Sequence, residues 1–187
     1  MIGVLLADGF EEVEALGTVD ILRRCGEDVR LVRVSSTESS EKQAIGGHDI
    51  KVECDMSVND TEDFKNLEEA DVIALPGGLV GVNNLKASSK VKELLDKRNE
   101  EGKWIAAICA APTLLAEYGY LNGKAAVCYP GMEDQLTGAV IGADKAVVHE
   151  NIITSQAAGT THKFAQAIMK ALGKEDKCKE VISGMHY

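Results

Sequence analysis

The chain has 187 residues, of which 45% are hydrophobic, 27% charged and only 4% aromatic, with a formal net charge of −10. That length suits one domain over residues 1–187, with a sizeable and mainly aliphatic core. The acidic balance argues against binding to nucleic acid or to an anionic membrane surface, and no apolar run is long enough to span a membrane.

Met1-Ile2-Gly3-Val4-Leu5-Leu6 lacks the basic n-region of a signal peptide and reads as a strand that begins at once. The five cysteines are odd in number and contain no Cys-x-x-Cys pair, which points to a reducing cytoplasm rather than a disulfide framework.

Ile2 to Ala7 is a short apolar strand, Asp8-Gly9-Phe10 a turn, and Glu11 to Cys25 a helix with Val13, Leu16, Val19 and Leu22 at helical spacing. Gly26 closes it as a C-cap, and Val29 to Val34 is a second strand, giving a βαβ unit with a right-handed crossover. Ser35 to Gln43 is polar and serine-rich, a surface loop. Ala44 to Val52 reads as a small hairpin turning near Gly46-Gly47.

Asn59 to Glu69 has a weak helical pattern, and Asp71 to Leu75 is a buried strand ending in Pro76-Gly77-Gly78. Helical stretches follow around Val82 to Leu85 and over Ser89 to Glu101. Trp104 to Ile108 is a continuous apolar run, as a buried parallel strand requires. Beyond it come a helix from Pro112, a turn at Leu121-Asn122-Gly123, a short strand over Ala125 to Cys128 and a short helix over Met132 to Leu136. Ala146 to Thr154 reads as a hairpin through Glu150-Asn151 whose second arm is able to join the main sheet. Helices from Gly159-Thr160-Thr161 to Leu172 and from Lys174 to Gly184 finish the chain. Strands alternating with helices in this way imply an α/β layered fold with a mainly parallel sheet.

Cys109 stands directly after the Trp104–Ile108 run, with small Ala110 and Ala111 behind it and Pro112 suited to a helix start. This is a strand-to-helix elbow that exposes a side chain at the carboxyl end of a sheet, where the helix start favours a thiolate. The competing reading is a small buried hydrophobe, which most cysteines are. Asp8 to Glu14, Pro76-Gly77-Gly78 and Cys109 are three strand ends that a parallel sheet gathers at one edge. Gly77-Gly78 is then either punctuation or a pair of backbone N–H donors for an oxyanion. Glu11, Glu12 and Glu14 either serve the helix start or include one carboxyl that exchanges a proton with the cysteine.

None of His48, His149, His162 and His186 lies in an evident strand-end loop beside Cys109. His48 and His149 fall on hairpins, with His149 solvated, His162 in the first turn of a helix and His186 near the terminus. No pair has metal-ligand spacing, and there is no Gly-x-Gly-x-x-Gly, P-loop or Gly-x-Ser-x-Gly. Cys25 and Cys178 read as packing residues on helices, Cys54 as an exposed residue after the hairpin, and Cys128 as the end of a short strand.

Four stretches are jointly distinctive: Gly9-Phe10-Glu11-Glu12-Val13-Glu14, Leu75-Pro76-Gly77-Gly78, Ala107-Ile108-Cys109-Ala110-Ala111-Pro112 and Ile153-Thr154-Ser155-Gln156-Ala157-Ala158-Gly159-Thr160. In this order they resemble the DJ-1/ThiJ/PfpI family, in its parkinsonism-protein and bacterial ThiJ-like branch. The resemblance implies a flavodoxin-like three-layer αβα sandwich, a homodimer, and Cys109 as a nucleophile-elbow cysteine readily oxidised to a sulfinic acid. Glu14 matches the family carboxyl that contacts this cysteine, and Gly77, Gly78 and Ala110 would supply backbone N–H groups. Departures are Tyr129-Pro130, where many members have His-Pro, and Gln156, where an arginine is often found. Ala157-Ala158 replaces the usual Gly-Pro, and His48 stands where some relatives have arginine. Tyr129 and Gln156 are the substrate-binding candidates at these places.

The implied activities are glutathione-independent glyoxalase and protein deglycase, holdase chaperone and oxidative-stress sensing. The leading expectation is a cysteine-dependent enzyme acting on small reactive carbonyls or glycated substrates, with Glu14 as proton shuttle and no metal or nucleotide cofactor. The alternative is a non-catalytic redox sensor or stress-protective chaperone in which Cys109 is oxidised.

Overall fold

The structure, a computed structural model, describes residues 1–35 and 42–187. Most of the expected serine-rich loop lies outside the described residues.

In chain order the first half holds β1 (Ile2–Leu6), α1 (Glu12–Arg24), β2 (Val29–Arg33), β3 (Gln43–Ile45), β4 (Lys51–Glu53), β5 (Met56–Ser57), α2 (Thr61–Glu68), β6 (Val72–Leu75), α3 (Leu79–Ala87) and α4 (Ser89–Glu100). The second half holds β7 (Trp104–Ile108), α5 (Ala111–Glu117), β8 (Ala125–Ala126), β9 (Val140–Ile141), β10 (Ala146–His149), β11 (Ile152–Ser155), α6 (Thr161–Ala171) and α7 (Glu175–Gly184). Short 3₁₀ turns at Glu133–Gln135 and Ala158–Thr160 complete it. Local chemistry sets several ends. Asp60 caps α2 by accepting from the N–H groups of Glu62 and Asp63, and Ser88 caps α4. Gly26, at φ +80°, ends α1 in the left-handed region as expected of a glycine C′ residue.

Seven strands form one sheet in the order β10-β11-β7-β6-β1-β2-β5. All neighbours are parallel except the β10–β11 hairpin. The second arm of that hairpin, β11, runs beside β7 and so joins the main sheet.

Alternate residues of each strand face opposite layers. Leu5, Ile73, Leu75, Ile105 and Ala107 pack under α2, α3, α4 and α5. Val4, Leu6, Val72, Ala74, Ala106 and Ile108 pack against α1, α6 and α7. Both faces of the central strands are therefore buried, which explains their unbroken apolar sequences. The result is a three-layer αβα sandwich. Cys25 and Cys178, both buried, belong to the same core layer, where burial pushes both thiols up.

At the amino-terminal edge of the sheet, Arg98 is fully buried. Its guanidinium donates to the carbonyls of Leu67, Ala70, Asp71 and Trp104, so one side chain ties α4 to the end of α2 and the starts of β6 and β7. Nothing in its local sequence pattern distinguishes it from a solvated helix arginine.

Two short elements, β5 and β9, have two residues each and carry too little pattern to be read from sequence, and the strand expected over Ala125 to Cys128 forms at Ala125–Ala126 as β8. Cys54, expected to be exposed, is 5% exposed, because the strand that follows it carries it into the core beside β2. His149, expected to be solvated, is half-buried and its Nδ1 accepts from the Ala125 N–H at 3.1 Å.

Candidate active site

β1, β6 and β7 are adjacent and parallel, so their carboxyl ends open side by side, next to the point where the strand order reverses. The loop after β1 leads into α1. Glu11 N–H donates to the Gly77 carbonyl at 3.0 Å and Gly81 N–H to the Gly9 carbonyl at 3.1 Å, stitching this loop to the one after β6. The β3–β4 hairpin braces it from outside, with Gly9 N–H donating to Ile45 and Gly47 N–H to Phe10.

Cys109 sits at φ +65°, a conformation that costs a non-glycine residue energy and that surrounding bonds must enforce. They do so on both sides. Cys109 N–H donates to the Ser155 carbonyl at 3.0 Å, and the Cys109 carbonyl accepts from Tyr129 N–H at 2.8 Å. The elbow aims the side chain out of the sheet, half-buried, at the start of α5.

Glu14, in the first turn of α1, reaches the same point and is 1% exposed. Its carboxyl accepts from Gly77 N–H at 2.8 Å and faces the Cys109 thiol and the Ala158 N–H, both of which lower its pKa. The backbone N–H groups of Gly78 and Ala110 are directed at the Cys109 sulfur. Gly77 therefore acts on the carboxyl rather than on the sulfur. A Cβ there would stand 2.6 Å from Cys109 Cβ and 2.7 Å from Glu14 Oε2, so only glycine leaves room for the pair.

Burial pushes the Glu14 carboxyl up to about 7 despite its donors, and the Glu11 charge adds to the rise. Burial, followed by the Glu14 carboxylate, pushes the Cys109 thiol up to about 12, while the Gly78 and Ala110 N–H groups pull it down. The two groups titrate as a coupled pair whose first proton leaves near neutrality. With a proton on Glu14, a Cys109 thiolate is held by two N–H donors and is no longer repelled by a carboxylate.

This arrangement has a cost that pH reveals. An unperturbed glutamate titrates near 4.5, so the folded state binds the Glu14 proton more tightly than the unfolded chain between pH 4.5 and about 7. Stability from this group falls as pH rises through that window, reaching a deficit of about 3 kcal/mol above it. Glu14→Gln keeps the shape without the charge. It is expected to stabilise the protein by about 1–3 kcal/mol at pH 8 and by little at pH 4.5, measured by urea unfolding. A gain that is the same at both pH values, or absent at pH 8, would refute the buried-charge assignment.

A cavity of about 430 Å³ opens over Cys109, walled by Leu79, Tyr129, Pro130 and Met132, with Glu11 and Gly78 at its side. Tyr129 is 49% exposed and lines it. Gln156 does not line it, and its amide oxygen accepts from Lys145 Nζ at 3.1 Å. Leu79 and Met132 had no chemical signal in the sequence; they are wall residues by position only. A larger groove of about 540 Å³ between β10 and α6, with Lys145, Lys163 and Lys170, shares no residue with this cavity.

Buried Glu12 is held by His48 through two bonds, from the backbone N–H at 2.6 Å and the ring Nδ1 at 2.7 Å, which lower the Glu12 carboxyl against the effect of its burial. Glu11, Glu12 and His48 offer ligand atoms within 4.8 Å of one another, the one such group among the described residues. Linear spacing could not show it, because His48 comes from the distant hairpin. The ion pair already occupies Glu12. His162 stacks on Tyr187, and neither it, His48 nor His149 lines the cavity over Cys109.

The profile of the DJ-1/PfpI family matches residues 1–171. Protein dj-1beta of Drosophila melanogaster is 38% identical over 186 residues, covering 97% of this chain and 94% of that protein. A deglycase of Pyrococcus abyssi is 29% identical over 175 residues, covering 90% of this chain and 97% of that protein. The solved structure of oxidized Toxoplasma gondii DJ-1 superposes with a TM-score of 0.88 at 28% identity, covering 100% of this chain and 97% of that one. The flavodoxin-like sandwich thus recurs with the sequence likeness, and the chain belongs to the DJ-1/PfpI family.

Proposed function

We propose that this protein is a cysteine-dependent, glutathione-independent enzyme acting on reactive carbonyls, converting 2-oxoaldehydes such as methylglyoxal to 2-hydroxy acids, or acting on glycated adducts derived from them. The observation that carries this reading is the Cys109–Glu14 pair converging on Gly77, held at the floor of an open cavity with Gly78 and Ala110 N–H groups at the sulfur. The deglycase of Pyrococcus abyssi among the relatives supports it.

The Cys109 sulfur attacks the aldehyde carbon. A C–S bond forms, the carbonyl electron pair moves to oxygen, and Glu14 delivers a proton there to give a hemithioacetal. The Gly78 and Ala110 N–H groups steady the developing oxyanion, and Gly77 acts through Glu14. Glu14, now ionised, takes the proton from the hemithioacetal carbon and passes it to the second carbonyl oxygen, giving an enediol; it then takes the hemithioacetal hydroxyl proton and delivers it to the neighbouring carbon, leaving a 2-hydroxy thioester. Water cleaves the C–S bond and releases the 2-hydroxy acid, restoring the thiol. No external oxidant or reductant enters. Tyr129, on the cavity wall, is a hydrogen-bonding partner for the second carbonyl oxygen.

The expected result is stoichiometric lactate from methylglyoxal in buffer free of glutathione. Lactate that forms only when glutathione is added would overturn the reading. We also read a homodimer, supported by the exposed Val13, Ile45 and Ile50 around the α1 start and the hairpin docked on it. Light scattering giving the mass of one chain would count against it.

A second reading, redox sensing, is favoured by the lack of a histidine lining the cavity and by donors placed for a sulfinate on Cys109. A two-oxygen mass gain confined to Cys109 after mild peroxide supports it, and no oxidation there removes it.

A further inference from the structure

The cavity over Cys109 is apolar, and among the described residues the one charged side chain in its lining is acidic. Leu79, Tyr129 and Met132 form the wall, and Glu11 stands at the side with no lysine, arginine or histidine in the lining. The cations carried by neighbouring segments are engaged elsewhere. Arg33 grips both oxygens of Asp8 at 2.7 and 2.8 Å, His48 holds Glu12, and Lys145 holds Gln156. Leu79, at the start of α3, is 66% exposed, and Val80 beside it is exposed too. Large apolar side chains are thus presented at the mouth of a site with half-buried Glu11 at its side and buried Glu14 beside its cysteine.

Building on the carbonyl chemistry above, we propose that the substrates of this site are neutral 2-oxoaldehydes bearing an aryl or branched alkyl group, and that carbonyls carrying a carboxylate are rejected. Leu79, Tyr129 and Met132 set the first preference and Glu11 the second. A ring laid on the wall removes apolar surface from water on both partners, and stacking against Tyr129 adds to this. A carboxylate in the same place loses hydration, meets Glu11, and finds no cation. The cavity volume is ample for a phenyl group on a two-carbon head.

The test compares kcat/KM for phenylglyoxal, methylglyoxal and 4-carboxyphenylglyoxal at pH 7, reading the 2-hydroxy acid formed. Phenylglyoxal is expected to exceed methylglyoxal by about tenfold or more, the range that apolar pocket contacts supply. The 4-carboxy compound is expected to fall about tenfold or more below phenylglyoxal. Leu79→Ser and Met132→Ser should each lower the phenylglyoxal-to-methylglyoxal ratio several-fold, and Glu11→Gln should narrow the gap to the 4-carboxy compound. Equal kcat/KM values for the three compounds, or ratios untouched by these variants, would overturn the proposal. If none is turned over, the carbonyl-enzyme reading fails by itself. The preference is then decided on Cys109 alkylation, where iodoacetate should be disfavoured against iodoacetamide about tenfold more than on free cysteine. A ratio equal to that of free cysteine would refute it.

Discussion

Cys109→Ser is expected to lower lactate formation from methylglyoxal by at least about a thousandfold, because removing the nucleophile of a covalent mechanism leaves only binding and the oxyanion donors. Serine fits the space and can keep φ +65°, since the Ser155 carbonyl and Tyr129 N–H enforce that backbone from outside. Its hydroxyl, however, ionises far above a thiol, and the Gly78 and Ala110 donors cannot bridge that gap at neutral pH. The fold should survive: a melting temperature within a few degrees of the parent accompanies the loss. A serine variant that retains turnover within threefold would remove Cys109 from the chemistry.

Gly77→Ala is the second large effect. The added methyl would lie 2.6 Å from Cys109 Cβ, 2.7 Å from Glu14 Oε2 and 3.0 Å from the sulfur. Those atoms belong to the two reacting groups, and neither can retreat freely. Cys109 is fixed by its backbone, and Glu14 is enclosed by the Gly77 and Ala158 N–H groups. Displacing such a pair by a fraction of an ångström to one ångström typically costs about a hundredfold in rate, and overpacking the site costs about 1–3 kcal/mol of stability. The expected outcome is a loss of kcat/KM of that order, read in the same lactate assay, with a lowered urea midpoint. Unchanged kinetics would mean that the pair does not need this geometry.

The two predictions use residues of different legibility. Cys109 could be found from the sequence because an apolar run, a cysteine, two alanines and a proline leave few alternatives to a strand-to-helix elbow. The central strands were equally plain, since burial on both faces makes them continuous apolar runs. Gly77 and Gly78 are legible in the sequence as either punctuation or backbone donors, and which group each serves is not. That depends on how closely α1 approaches β6, and it turns one N–H to Glu14 and the other to the sulfur.

Contacts made across long sequence separations were the least visible. The Glu12–His48 pair joins residues 36 apart, and Arg98 satisfies carbonyls from three other segments. Cys54 misled because polar neighbours, Glu53 and Asp55, mask a core-facing position on a two-residue strand edge. Gln156 lies in a motif that converges on the site, and yet its side chain turns to Lys145. Choices of rotamer and partner of this kind depend on packing, which linear spacing does not encode.

The central claim is that Cys109, coupled to Glu14, is the reactive sulfur of this site. Alkylation by iodoacetamide from pH 5 to 9, mapped by peptide, tests it most directly, with Cys54 as the internal reference. Burial pushes Cys54 up to about 12, and no carboxyl relieves it. Cys109 is expected to react many times faster than Cys54 at pH 7, its rate rising through the first ionisation of the pair near 7, with that inflection displaced in Glu14→Gln. Cys109 labelled no faster than Cys54, with a pH profile identical in Glu14→Gln, would contradict the claim.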